Sequence, residues 1–312
     1  MSVSSDYLLR CAAETGFQVA TLERVVRLGE LAADIARHPR LGEALALKGG
    51  TPLNLGFGPP HRLSIDLDYN CVARLDRDSM LAERQQIEAA VVQIAERQGF
   101  RVQTSADAFA GRTFHLHYAA VLDINYLHRL PLDAAATMAL WQPGELDQPS
   151  VHAVGLSELL VGKVPALLNR GSPRDAWDVA HLAPAVCGTV RKPQFRRFFL
   201  AMAATLDLPL PRYGEGRLSA SLTDRIVSQQ LTPMLSSVGR LDAGKLAAAA
   251  WEAVAPLVHL SADETAFFAA VDRGDLRLEL LFPDDIAEAA RLALHPALQW
   301  KIIDAQSKPA GR

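Results

Sequence analysis

The most informative part of this 312-residue chain is the segment Leu47-Lys48-Gly49-Gly50-Thr51, followed by the strand-like run Asp66-Leu67-Asp68. Two consecutive glycines favour a tight turn in which backbone N–H groups approach an anion, with Thr51 behind them as a hydroxyl donor and helix N-cap. Alternate residues of a strand share a face, so the two acids point to one side and Leu67 to the other. Paired carboxylates with water left in the coordination shell are what Mg²⁺ prefers.

A third acid lies on a later predicted strand, Val121-Leu122-Asp123-Ile124-Asn125. Three acids on adjacent strands would hold two Mg²⁺ ions about 4 Å apart, one activating a hydroxyl and one stabilising a leaving pyrophosphate. An Asp-x-Asp pair alone is common on exposed strand faces, and Gly-Gly alone is usually a turn. The combination is more specific, because three acids on a half-buried sheet require a neutralising partner.

A second group of charged residues follows in the helical part of the sequence, namely Lys163, Arg170, Arg174, Asp175 and Asp178. The two cations Lys163 and Arg170 share one face of a predicted helix, and the two acids share one face of the next. A solvated helix corner with surface ion pairs is one interpretation of this pattern. Cations that balance the charge of a nucleoside triphosphate are the other.

The hydrophobic patterns on either side of these motifs predict an α+β fold. Two N-terminal helices separated at Gly16 precede a small mixed β-sheet with a long helix near residues 79–98, and the chain after Pro143 is largely helical. We therefore predict a core lobe with the N-terminal helices at residues 1–150. Residues 151–312 are predicted to form a helical lobe that completes the active site.

The amino-acid composition predicts a soluble protein and argues against a membrane protein. With 49% hydrophobic residues and a formal charge of -3, the chain is predicted to be soluble and globular. An apolar run long enough for a membrane span or a signal peptide is absent from the sequence, so no membrane partner is expected. Cys11, Cys71 and Cys187 are far apart and odd in number, which predicts a cytoplasmic protein without a cysteine-held metal.

The motifs together resemble one known family. Lys48-Gly49-Gly50-Thr51, Arg62-x-Ser64-x-Asp66-Leu67-Asp68 and the run from Lys163 to Asp178 are similar to the AbiEii/AbiGii nucleotidyltransferase toxins of type IV toxin–antitoxin systems. That family has the polymerase-β-like nucleotidyltransferase fold. The resemblance implies a toxin, encoded beside an antitoxin partner, that uses Mg²⁺ to transfer NMP from an NTP to the 3′ end of tRNA. It further implies a preference for pyrimidine nucleotides and a block of translation.

The resemblance also implies roles for single residues. Lys48, Gly49, Gly50 and Thr51 would bind the nucleotide, and Asp66 and Asp68 would be catalytic and hold Mg²⁺, with Asp123 as a third metal ligand. Lys163 and Asp175 would complete the catalytic site, and Lys163, Arg170, Arg174 and Asp178 would contact the nucleotide. Thr51 stands where the fold usually has Ser, and the Phe57 to Leu63 segment lengthens the spacer before the first acid.

A tRNA acceptor requires basic side chains that contact its phosphates. The candidates for RNA binding are Arg62, Arg129, Arg191, Lys192, Arg196 and Arg197, although a solvated helix face is the favoured interpretation of any single arginine. Ser64 shares the strand face of the acids. A phosphate on Ser64 would repel both triphosphate and metal, which predicts a regulatory position.

Two other functions remain open at this stage. A small-molecule, antibiotic-type nucleotidyltransferase would share the Gly-Gly and Asp-x-Asp core, and those residues do not specify the acceptor. A non-catalytic scaffold of the same fold would be expected to lack one of the acids. Asp66, Asp68 and Asp123 are all present.

Overall fold

The computed structural model of the protein describes residues 3–106, 108–117, 120–182, 184–236 and 241–307. The chain divides into two compact units, the first formed by Met1–Gly155 with Ser228–Leu241 and the second by Leu156–Val227 with Asp242–Arg312. The sequence-based division assigned residues 228–241 to the helical lobe, whereas the structure groups the described part of this segment, residues 228–236 and Leu241, with the sheet. Here the backbone N–H of Leu63 donates to the carbonyl of Met234 at 2.8 Å, and Arg62 forms a β-bridge with Leu235.

A seven-stranded mixed sheet forms the centre of the first unit, with strand order β3-β4-β5-β2-β1-β7-β6. Strand β2 is antiparallel to β1 and parallel to β5, and it lies between them. The strands are β1 Leu45–Lys48, β2 Asp66–Cys71, β3 Val102–Thr104, β4 Gly111–Leu116, β5 Ala120–Asn125, β6 Ala136–Ala139 and β7 Ser150–Ala153. The motif strands β1, β2 and β5 are therefore neighbours.

Five helices precede or connect the first strands of this unit. The two predicted N-terminal helices are confirmed, and Gly16 ends the first of them with a left-handed φ of 77°. The long helix predicted between the second and third strands is also present. The helices are α1 Ser5–Thr15, α2 Val19–Arg37, α3 Leu41–Ala44, α4 Gly50–Leu55 and α5 Arg77–Arg97.

The two faces of the motif strands differ as their alternating sequences predict. Leu67 and Tyr69 on β2 and Leu122 and Ile124 on β5 are at most 2% exposed. They belong to one hydrophobic cluster with buried side chains of α2 and α5. The acids between them are half-buried on the opposite face, so the core fixes the strand orientation that presents the acids.

The second unit is helical throughout its described residues, apart from loops and short 3₁₀ segments. The α+β fold predicted from sequence is thus confirmed. The helices of the second unit are α6 Leu156–Arg170, α7 Pro173–Ala180, α8 Pro184–Val190, α9 Pro193–Ala203, α10 Glu215–Ser221, α12 Ala243–Val258, α13 Ala262–Asp272, α14 Ile286–Ala293 and α15 Pro296–Ser307. Helix α11, Asp224–Gln230, begins in the second unit and ends in the first. Among the helices of the described ranges, none combines the length and apolar character of a membrane span.

Candidate active site

The double glycine forms the turn between β1 and α4. Gly49 has a φ of 77° and ψ of -148°, a backbone conformation that favours glycine. A Cβ on Gly49 would overlap the carboxylate of Asp68, and a Cβ on Gly50 would lie 3.0 Å from both Arg62 Nη2 and Ser64 Oγ. The missing side chains therefore let the turn lie directly against the acid-bearing strand.

Strand register gathers the three acids on one face of the sheet. Asp68 pairs with Lys48 across the antiparallel β1 and with Asp123 across the parallel β5. Asp66 lies two residues earlier on the same face as Asp68. All four side chains are half-buried, so each is partly accessible from solvent.

The electrostatics of Asp123 show that these acids influence one another. Burial raises the pKa of Asp123 above its usual value, and the charges of Asp68 and Asp66 raise it further. A hydrogen bond from Thr113 and the charge of Lys48 act in the opposite direction without cancelling the rise. The sheet face with Asp66, Asp68 and Asp123 thus carries negative charge that Lys48 compensates only in part.

This donor set fits a divalent cation bound with its substrate. Within the described ranges, no three His, Cys, Asp or Glu side chains already stand in the arrangement of a complete metal site. Mg²⁺ in phosphate-transferring sites takes one or two carboxylates and fills its octahedron with phosphate oxygens and water. Asp66 and Asp68 supply such a pair, and a cation beside them would favour the charged form of Asp123, whose pKa burial raises.

The structure corrects the role expected for Thr51. Its hydroxyl donates to the carbonyl of Asp66 at 2.5 Å, and the side chain is 4% exposed. The helix N-cap is Gly49, not Thr51. The Thr51 hydroxyl therefore ties the glycine turn to β2, so the hydrogen expected to reach a phosphate is already donated within the protein.

Arg62 and Ser64 also differ from their sequence-based predictions. Arg62 is 2% exposed, donates from Nη1 to the carbonyl of Leu63 at 2.8 Å and packs under Gly50. It supports the glycine turn from inside and is not presented to RNA. Ser64 is 5% exposed against the same glycine, so its hydroxyl is not accessible to a modifying enzyme in this conformation.

Three of the other predicted RNA-binding arginines are engaged inside the protein. Arg129 is 5% exposed and donates to the carbonyls of Leu75 and Tyr126, which corrects its predicted role. Arg196 forms two bonds to the carboxylate of Glu264, at 2.7 and 2.8 Å, and Arg197 pairs with Asp284 at 2.6 Å. Both salt-bridged guanidinium groups are only partly accessible. The remaining candidates, Arg191 and Lys192, are exposed.

The second charged group forms a buried cluster at the corner between α6 and α7. The Lys163 ammonium lies 2.9 Å from Asp175 Oδ1 and 2.9 Å from Asp178 Oδ2. Arg170 Nη2 contacts Asp175 Oδ2 at 2.9 Å, but the Arg170 side chain is 66% exposed. Arg174 is half-buried on the same helix as the acids. The predicted gathering of cations and acids is present, yet Lys163 is 7% exposed and its charge is matched within the protein.

His128, which follows β5, is not among the residues predicted from sequence. Its backbone N–H donates to Asn125 Oδ1 at 3.0 Å, so the last side chain of β5 orders the turn that carries it. Burial, and to a lesser extent the nearby Lys48 charge, lowers the pKa of His128 to about 4. The imidazole is therefore neutral at physiological pH. A lone histidine after a strand belongs to no sequence motif, so the proximity of His128 to Lys48 could not be predicted.

Comparison with known proteins identifies the family. Residues 31–255 match the model of the nucleotidyl transferase AbiEii toxin of type IV toxin–antitoxin systems. The structure is similar to MenT4, a nucleotidyltransferase toxin from Mycobacterium tuberculosis, with a TM-score of 0.62 and 18% identity over 94% of this chain and 99% of that one. JHP933 from Helicobacter pylori matches at a TM-score of 0.39 and 16% identity, over 78% of this chain and 93% of that one.

The search of curated proteins gave no match. The MenT4 similarity shows a shared fold, and the matched family region extends over most of the chain, including the glycine turn, all three acids and the cluster around Lys163. Such a family uses an NTP as its substrate and acts within a toxin–antitoxin pair. The chain belongs to the AbiEii family of nucleotidyltransferase toxins.

Proposed function

We propose that this nucleotidyltransferase moves NMP from an NTP to the 3′ end of tRNA in the cytoplasm, with Mg²⁺ at Asp66 and Asp68 and with Asp123 as a third ligand. The single observation that carries the catalytic part is the juxtaposition of Lys48, Asp68 and Asp123 across three neighbouring strands beside the glycine turn. The RNA acceptor, the preference for pyrimidine nucleotides and the block of translation rest on the family resemblance. A cognate antitoxin is the expected partner.

The reaction is an in-line displacement at the α-phosphorus of the NTP. A terminal ribose hydroxyl forms the new O–P bond, the bond to the β-phosphate oxygen breaks, and pyrophosphate leaves with the bonding electrons. Bound Mg²⁺ would supply charge neutralisation on the phosphates. The wider fold implies two Mg²⁺ ions. Two ions would need Asp123 as well as Asp66 and Asp68, and Asp123 lies opposite Asp68 on the neighbouring strand β5.

The chain's own groups orient the triphosphate in this proposal. Backbone N–H groups at Gly49 and Gly50 stand at the start of α4, beside the carboxylate of Asp68, and would donate to a phosphate there. Lys48 precedes this turn and is half-buried beside the acids. Its ammonium would balance phosphate charge that the acids alone would repel. Thr51 and Arg62 act indirectly, since their hydrogen bonds hold the turn and β2 in place.

Binding of the RNA phosphate backbone requires exposed lysine or arginine side chains. Arg191 and Lys192 are the two predicted RNA-binding residues that remain exposed, and we assign phosphate contacts to them. The nucleotide contacts that the resemblance assigns to Lys163, Arg170, Arg174 and Asp178 stay predictions, as does the catalytic role that it assigns to Lys163 and Asp175.

The test incubates the purified full chain with total tRNA, Mg²⁺ and each of the four labelled NTPs. Label is expected in tRNA with a pyrimidine nucleotide, and Asp66→Ala is expected to abolish it. The matched control is Asp147→Ala, because Asp147 is an exposed acid of the same unit away from the motif strands. Labelling that survives in Asp66→Ala, or wild-type protein that is folded and labels no RNA, would refute the proposal.

A further inference from the structure

The helical unit contains a cavity of about 360 Å³ whose lining shares only Arg170 with the residues predicted to act in nucleotidyl transfer. The C-terminal end of α6 forms one wall, and the segment from Tyr213 through α10 forms another, with Trp251 of α12 completing the lining. Gly171 follows α6 with a φ of 58°, and a Cβ there would overlap Ser221 of α10. The glycine thus allows the two walls to approach closely.

The polar groups of this cavity are mainly hydrogen-bond donors. Its described lining includes the guanidinium groups of Arg170 and Arg217 and contains no carboxylate. Arg170 is 66% exposed and uses Nη2 for Asp175, which leaves other N–H groups of its fork for a ligand. Arg217 is exposed and forms no ion pair with any residue the structure describes. A ligand with negative charge matches this wall.

The Asn169 side chain adds a third donor. Its Oδ1 accepts from the Tyr213 hydroxyl and from the backbone N–H of Asp207. With its oxygen held in this way, the amide NH₂ is left as a donor, and within the described residues it has no acceptor. Amide and guanidinium donors side by side are suited to phosphate oxygens.

The rest of the lining is apolar and partly aromatic. Leu167 and Leu218 are buried, and Trp251 is partly exposed. The Arg217 guanidinium lies 5.6 Å from the centroid of the Tyr213 ring, which orients it by a cation–π contact. An indole beside oriented cations is the combination that binds a nucleobase together with its phosphate.

We infer that this cavity is a binding pocket for one phosphorylated nucleotide unit. Arg170, Arg217 and Asn169 bind its phosphate, and its base packs on Trp251. The volume lies at the lower end of the range for small-ligand pockets, so it accommodates a single nucleotide and not a longer strand. The choice of a nucleotide as the anion rests on the proposed function, and the unit comes either from free nucleotide or from the RNA chain.

Calorimetric titration of the full chain with CMP tests this inference. A chelator is added and Asp66→Ala is used as background, so that binding does not depend on metal at the acids. Cytidine and inorganic phosphate serve as partial ligands and are expected to bind at least about tenfold more weakly than CMP, since each lacks one of the two interactions. A trinucleotide RNA with a 5′ phosphate distinguishes the sources, because tighter binding than CMP assigns the pocket to RNA and weaker binding assigns it to free nucleotide.

Two pairs of variants locate the binding. Gly214 lines the pocket with extended backbone and open space at its Cβ position, so Gly214→Phe is expected to occupy the pocket without strain. Gly216→Phe is the matched control, because Gly216 also has open space but does not line the pocket. Arg217→Ala is compared with Arg225→Ala, an exposed arginine elsewhere in the same unit. CMP affinity is expected to fall at least about tenfold in Gly214→Phe and Arg217→Ala and to stay within about twofold of the parent in the two controls.

The outcomes separate this inference from the proposed function. CMP binding that is lost in the pocket variants supports the pocket even when the labelling assay fails, because the background already lacks a catalytic acid. No CMP binding at millimolar concentration, or equal binding in Gly214→Phe and its control, overturns the pocket whatever the labelling assay shows.

Discussion

Replacing Lys163 by methionine removes the ammonium that Asp175 and Asp178 share inside the helical unit. The three side chains are 8%, 4% and 1% exposed, so the acids would keep their negative charge away from water without this partner. Methionine has a length and apolar stem similar to those of lysine. The substitution therefore isolates the charge and its hydrogen bonds from the packing of the stem.

The expected magnitude follows from the distances and the burial. Each 2.9 Å contact gives a gross attraction of about 6 kcal/mol at an effective dielectric constant of about 20. The cost of desolvating the three charges offsets most of this attraction in the wild type. Removing one partner of a buried pair costs about 3–5 kcal/mol. Arg170 still contacts Asp175 but is largely exposed, so it softens the loss, and we expect a decrease of about 3 kcal/mol in the free energy of unfolding.

Urea denaturation followed by circular dichroism measures this change. Lys245→Met is the control, because Lys245 is an exposed lysine of α12 in the same unit, and its effect is expected to stay within about 0.5 kcal/mol. The triple variant Lys163→Met with Asp175→Asn and Asp178→Asn removes the stranded charges and is expected to regain part of the loss. A decrease below about 1 kcal/mol for Lys163→Met, together with lost transfer activity, would refute the structural role and return Lys163 to the nucleotide.

Three further changes test other parts of the structure. Gly49→Ala is expected to reduce nucleotidyl transfer by at least about tenfold, because its Cβ would displace Asp68, whereas Gly58→Ala, with a φ of 111° and open space, carries the backbone strain alone and should retain activity. Arg129→Ala is expected to lower the free energy of unfolding by about 2–3 kcal/mol and to leave tRNA affinity unchanged in a gel-shift assay, because its donors bind carbonyls inside the protein. Hydrogen bonds from Arg196 hold the pKa of Glu264 below its usual value of 4.5. The stabilisation by Glu264 is therefore complete above pH 4.5 and lost as the pH falls through the lowered pKa, so the stability difference between wild type and Glu264→Gln should shrink in acid.

The sheet and its acid-bearing face were predictable because both follow from local rules. Alternation in Asp66-Leu67-Asp68 sets which side chains enter the core, and the same alternation around Asp123 sets the matching face of β5. Gly49 marks a backbone conformation that other residues adopt only with strain. Each signal extends over a few residues, so the sequence alone carries it.

The misassigned residues depend on contacts between distant parts of the chain. Arg129 is buried, and the carbonyl of Leu75, 54 positions earlier, accepts its Nε–H. The Thr51 hydroxyl is occupied by the carbonyl of Asp66, fifteen positions later. A single sequence does not reveal which carbonyl will meet which side chain, and an arginine therefore has the same sequence signature whether it faces RNA or a buried carbonyl.

The scarcity of lysine acquires a structural meaning from these contacts. Only six of the 32 basic residues are lysines, and several of the arginines reach two acceptors at once, as Arg196 does with the carboxylate of Glu264 and two backbone carbonyls. The planar guanidinium fork satisfies separated acceptors in fixed directions, whereas an ammonium group acts as a point charge. Arginines such as Arg129 and Arg196 therefore serve the internal architecture of this chain, and RNA binding has to be sought among exposed cations such as Arg191 and Lys192.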